Sequence, residues 1–260
     1  MIKERLALEA IREEMRSIPG HVGMYYQNLV TGEEFDVRGE EPFLAASVIK
    51  LPLHLFALAQ AEAGLIRMSD RLLVEESDKV PVCGALTLFT GPVEADIATL
   101  CRLMISLSDN TATNRLIRHF GMRAIEEGFA HLGLQTTRIR RLLFDTEASN
   151  AGVQNTISPR EMGALLAGLY RREILSEASC EQALDILLQQ QIDHKLNGKI
   201  CGRAEIAHKT GEDDGLSNDV GIVYAKQPFV LCFAGHDTDV YLWEDLMRRG
   251  AYALWQAQEE

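Results

Sequence analysis

The sequence predicts an α/β (α+β) fold, with an antiparallel sheet built from both chain ends, flanking helices, and an all-α lobe. Three observations carry this: strand-like runs stand only near the two ends, helical spacing fills the middle, and amphipathic stretches open and close the chain. The 260 residues, 47% of them hydrophobic, suffice for a full core. No internal repeat or low-complexity linker divides them. One domain over 1–260 is therefore expected, with an α/β lobe at about 1–46 and 200–260 and the all-α lobe at about 47–199.

Met1 to Ser17 alternates charged and apolar residues as an amphipathic helix does. Val22–Gln27 and Glu34–Val37 flank the turn-forming Asn28-Leu29-Val30-Thr31-Gly32, which reads as a β-hairpin. From Ser47 to about Ala63 the run is apolar on nearly every side, the pattern of a helix buried in the middle of a fold, and Pro52 is tolerable because it falls in the first turns. Helical spacing continues from about Thr99 to Ala183, punctuated by Gly121, Gly133, Gly152 and the Ser158-Pro159 start signal. Short β-rich runs return after Glu205 (IAHKT, DVGIVYA, FVLCFAG), and the chain finishes on the amphipathic stretch Tyr241 to Gln258.

Composition narrows the function. A net charge of −12 without any Lys/Arg run argues against nucleic-acid binding, which needs a clustered basic surface. No apolar run reaches the roughly 18 residues of a membrane span, and Lys50 and His54 break the longest. The N-terminus lacks a signal-peptide core, so a cytoplasmic protein is expected, periplasmic or secreted if a leader was removed. Cys83, Cys101, Cys180, Cys201 and Cys232 lack CxxC spacing and read as mostly buried thiols; the seven histidines lack HxxxH or HxH spacing, so no metal or cofactor is expected. The expected partner is a small molecule, met by a monomer without nucleic acid or membrane.

Three short motifs carry chemistry. Ser47-Val48-Ile49-Lys50 sets a hydroxyl and an amine three residues apart, on one face of the buried helix. Either Ser47 caps the helix while Lys50 reaches solvent, or burial depresses the lysine until its neutral amine can take the serine proton. Ser108-Asp109-Asn110, ahead of Thr111-Ala112-Thr113-Asn114, reads either as an N-cap cluster or as a proton relay at Ser108 with a substrate-fixing amide at Asn110. Lys209-Thr210-Gly211, followed by Glu212-Asp213-Asp214-Gly215, puts a cation on a strand beside a glycine that lets another backbone approach.

In this order and spacing the three motifs resemble those of the class A β-lactamases and penicillin-binding proteins. The resemblance runs over nearly the whole chain and includes Asn155-Thr156-Ile157-Ser158-Pro159 and the DVGIVYA strand. It implies acyl transfer by Ser47 onto a β-lactam or acyl-D-amino-acid-like carbonyl, with Lys50 as base and Ser108 passing a proton to the leaving nitrogen. Asn110, Lys209, Thr210 and Gly211 would bind substrate. The oxyanion would sit between the backbone N–H groups of Ser47 and Glu212.

The pattern departs from the family in two places. Thr137-Arg138-Ile139-Arg140-Arg141 matches the segment ahead of the family's deacylating glutamate, but a gapless count sets Leu143 in that slot and Glu147 near the family's water-holding asparagine. The following loop is shorter than usual, so Glu147 remains a candidate base. After Lys209-Thr210-Gly211, Asp219-Val220-Gly221-Ile222 offers no arginine for a substrate carboxylate. A β-lactamase, a D-Ala-type peptidase, amidase or esterase, and a non-catalytic penicillin-sensing protein all remain open at this point.

Overall fold

The computed structural model of the protein describes residues 2–81 and 83–259; Met1, where the expected first helix begins, lies outside them. Helix α1 (Ile2–Met15) leads to the hairpin of β1 (His21–Asn28) and β2 (Glu34–Val37), in the register that the turn residues imply. Asn28 closes the turn by accepting hydrogen bonds from the Val30 and Thr31 N–H groups at 2.9 and 3.0 Å. A two-residue strand β3 (Phe43–Leu44) precedes a 3-10 turn over Ala46–Ile49 and helix α2 (Lys50–Glu62). Strands β4 (Arg71–Val74) and β5 (Val93–Asp96) pair as a ribbon. The helical stretch holds α3 (Ile97–Ser106), α4 (Asn110–Phe120), α5 (Met122–His131), α6 (Thr146–Asn150), strand β6 (Thr156–Ile157), α7 (Pro159–Arg171) and α8 (Glu177–Leu187). Strands β7 (Ile206–Asp213), β8 (Leu216–Val223) and β9 (Phe229–His236) then lead to α9 (Val240–Glu259).

The five-stranded antiparallel sheet has the order β2-β1-β9-β8-β7, so its two halves come from opposite chain ends, as the sequence predicts. Side-chain alternation splits the core in two. Met24 and Tyr26 of β1 with Leu231 and Phe233 of β9 pack against Leu8 and Ile11 of α1 and Trp243 and Leu246 of α9. Tyr25, Val230, Cys232 and Ala234 face the other way, onto Met162 and Leu166 of α7 and the helical lobe. The pairs β3/β6 and β4/β5 are absent from the sequence expectation, because two to four residues are too few to show a period. Among the described residues no helix is long and apolar enough to cross a membrane. All five cysteines are free thiols; Cys101, Cys180 and Cys232 are buried, but Cys83 and Cys201 are exposed.

Helix α2 is the axis of the lobe, with every residue from Lys50 to Leu58 buried. That burial includes His54, whose two ring nitrogens find no hydrogen-bond partner among the described residues and whose pKa burial pushes down to about 4. The unfolded chain takes up this proton near pH 6.5, whereas the folded chain refuses it until about pH 4. The proton-linked cost of His54 is therefore absent above pH 6.5 and grows progressively as pH falls through that window, to roughly 3 kcal/mol. His54→Leu is expected to lose less melting temperature than the parent between pH 6.5 and 4, as read by thermal unfolding at both pH values; equal losses would contradict this.

Candidate active site

Three segments meet at one cleft of about 540 Å³, lined among others by Ser47, Cys83, Ser108, Asn110, Leu143, Thr210 and Glu212. The 3-10 turn holds Ser47 half-buried at the cleft floor, with Lys50 fully buried behind it. Lys50 does not extend to solvent. Its Nζ donates to the Ser108 carbonyl at 2.8 Å and to Asn110 Oδ1 at 2.7 Å, and lies 2.7 Å from Ser47 Oγ and 3.0 Å from Ser108 Oγ. Burial, reinforced by the charge of Lys209, holds the Lys50 pKa well below the usual lysine value. A neutral amine has two N–H groups and one lone pair. The two carbonyl acceptors take the N–H groups, which leaves the lone pair for the Ser47 proton.

At the second motif both readings hold, for different residues. Asp109 is the N-cap of α4, accepting from the Ala112 N–H at 2.9 Å, and its other oxygen ties down the Ala85 and Leu86 N–H groups at 2.8 and 2.9 Å. The neighbours it fixes, Ser108 and Asn110, face Lys50. Ser108 has φ +54°, and its Oγ lies between two lysines, 3.1 Å from the Lys209 Nζ that donates to it. Ala46, Cys83 and Phe144, also on the cleft wall, have φ of +41°, +58° and +62°. Strained backbone of this kind persists only where the surroundings over-determine it.

The third motif runs along β7. Lys209 is fully buried and its pKa is pushed down to about 7, by burial first and by Lys195 second. Gly211 is the point of closest approach: a Cβ there would stand 3.1 Å from both Ala45 O and Ser47 N. Asn218 of β8 braces the same corner, donating to the Leu44 and Ala45 carbonyls at 2.9 and 3.1 Å.

The structure thus brings together Ser47, Lys50, Ser108, Asn110, Lys209, Thr210, Gly211 and Glu212. A family profile described as the beta-lactamase enzyme family matches residues 7–257. The chain belongs to the beta-lactamase enzyme family. It is 30% identical over 175 residues to a beta-lactamase of Rhodobacter capsulatus, a match covering 65% of this chain and 59% of that protein. A beta-lactamase structure from Sphaerobacter thermophilus superposes with TM-score 0.85 at 27% identity, covering 98% of this chain and 96% of that one. A mutant of PBP-A, solved as an acyl-enzyme complex with penicillin G, superposes with TM-score 0.87 at 28% identity, covering 97% of this chain and 96% of that one.

Against this family the chain's departures take physical form. Leu143 lies on the cleft wall, pinned by Asn114, which accepts from its N–H at 2.8 Å and donates to its carbonyl at 2.9 Å. Glu147 is exposed on α6 and is not among the residues lining the cleft, so the structure does not bring it to Ser47. Asp219, on β8 opposite Thr210, is fully buried and turned to His208, 2.9 Å away.

Sequence reasoning missed Lys195, a third fully buried lysine, which donates to Gly211 O and Asn218 O at 3.2 and 3.1 Å. Its only sequence signal was a lysine in a segment without helical or strand period. Replacing Asn114 by leucine strips both hydrogen bonds from Leu143 and is expected to destabilise the protein by roughly 2 kcal/mol and speed amide exchange at Leu143, measured by hydrogen exchange. Unchanged exchange would show that the loop holds without this clamp.

Proposed function

We propose that the protein opens the amide bond of β-lactams by acylating Ser47, and that release of the acyl group, not its formation, limits turnover. The observation that carries this is the buried Lys50 amine 2.7 Å from Ser47 Oγ, with its two N–H groups directed to carbonyl acceptors. Lys50 takes the Ser47 proton as Oγ attacks the lactam carbonyl. The backbone N–H groups of Ser47 and Glu212 stabilise the oxyanion, in an arrangement worth several kcal/mol in the transition state. Ser108 gives its proton to the leaving nitrogen and regains one from Lys50, so the proton count closes. Lys209 and Thr210 hold the substrate carboxylate.

Deacylation needs a base to activate water. On the wall opposite, Leu143 stands in the slot of the family's glutamate, and the loop's one carboxylate on the cleft, Asp145, is engaged as the N-cap of α6, accepting from the Ala148 N–H at 3.0 Å. This supports a β-lactamase with a long-lived acyl-enzyme. The reading needs a small-molecule β-lactam or acyl-D-amino-acid-like partner and no second subunit, nucleic acid, membrane or metal.

Intact-protein mass after mixing with benzylpenicillin tests it. The parent is expected to gain one penicilloyl mass, Ser47→Ala none, and Leu143→Glu to lose the adduct at least about tenfold faster. An unmodified parent, or an adduct that survives Ser47→Ala, would overturn the proposal. The pH dependence has a defined sign. Lys209 must keep its proton to bind the carboxylate, so the second-order acylation constant of the free enzyme is expected to fall as pH rises past about 7. A constant flat from pH 6 to 9 would contradict the role given to Lys209.

A further inference from the structure

Lys195 lies in the segment between α8 and β7, far from every motif, yet its Nζ ends beneath the cleft floor. It donates to Gly211 O on β7 and Asn218 O on β8, and lies 3.0 Å from Glu212 Oε1 and 4.0 Å from Glu244 Oε1. Glu244 is itself anchored from α9, accepting from Ser217 Oγ at 2.8 Å and lying within 3.5 Å of His194 Nε2 and 3.4 Å of Arg248 Nη1. The Asp219 carboxylate accepts from the next backbone N–H, that of Leu196, at 3.1 Å. A fully buried ammonium held by two strand carbonyls and a carboxylate is a built feature, because desolvating it without such partners costs several kcal/mol.

The two carbonyls it clamps belong to the residues that shape the Ser47 corner. Gly211 is the point where β7 touches Ser47 N, and Asn218 is the side chain that holds Leu44 and Ala45. We propose that Lys195 is a positioning residue: clamped to the Gly211 and Asn218 carbonyls, it fixes the Gly211–Glu212 edge of β7 against Ser47 and sets a buried positive charge beneath the Lys209 end of the cleft. It does not line the cleft, so it acts through β7 and through its charge, not by touching substrate.

Lys209 is faced by Lys50 across Ser108, by Lys195, by Asp219 from β8, by Cys83 across the cleft and by Glu212 on its own strand. After burial, Lys195 is the largest influence against the Lys209 proton, whereas Glu212 favours that proton. Removing one or the other therefore moves Lys209 in opposite directions. A residue that merely stiffened the fold would not give this pattern.

The test is a titration of Lys209 by the ¹³C shift of its Cε, assigned with Lys209→Met, in the parent, Lys195→Met and Glu212→Gln. The expected result is a midpoint raised by about one pH unit or more in Lys195→Met and lowered in Glu212→Gln. The alkaline limb of benzylpenicillin acylation is expected to follow the same order, with a rate on the order of tenfold lower at the optimum of Lys195→Met. Midpoints unmoved, or moved the same way in both variants, would overturn the proposal. If Lys195→Met does not fold, Lys195→Gln, which keeps a donor for the two strand carbonyls and drops the charge, decides: a raised Lys209 midpoint supports the proposal and an unmoved one overturns it. The acylation arm rests on the proposed function, but the titration needs no substrate. A protein that no β-lactam acylates, yet shows the opposed shifts, would refute that function and leave Lys195 its role.

Discussion

The site depends on one constraint: a lysine amine is buried where its charge is costly and its geometry is fixed. Lys50 sits at the head of a helix buried on every side, and among the described residues its Nζ reaches only Ser47, Ser108 and Asn110. No carboxylate lies within ion-pair distance of it among the described residues, so the inexpensive state is the neutral amine, which is the state a base requires. The rest of the cleft follows. Asp109 caps α4 so that Ser108 and Asn110 face the amine, and Gly211 gives up a side chain so that β7 can come up to Ser47.

Three lysines under one cleft would repel one another without compensation. The chain supplies it unevenly. Lys195 has the Glu212 carboxylate, Lys209 feels Asp219 and Glu212, and among the described residues Lys50 has only the more distant charge of Asp109. The lysine with the least compensation is the one proposed to act as a base, which needs a lone pair.

Much of this was legible in the sequence. Ser47 and Lys50 are three residues apart, Ser108 and Asn110 two, and such local spacings translate directly into geometry. The five-stranded sheet was legible as well, because β1, β7, β8 and β9 have eight residues each, long enough to show their period. What could not be read were contacts between distant segments. Lys195 meets residues 16 and 23 positions away. Asn114 meets Leu143 across 29 positions. The exposure of Glu147 follows from where a short loop folds, and a gapless count carries no such information.

The central claim is that Lys50 is neutral in the resting protein. The most direct measurement is the ¹⁵Nζ chemical shift of Lys50 at pH 7, assigned with Lys50→Met. The account predicts an amine shift at pH 7 that turns to the ammonium value only on acidification. An ammonium shift persisting to pH 9 would contradict it and would leave Ser47 without its base.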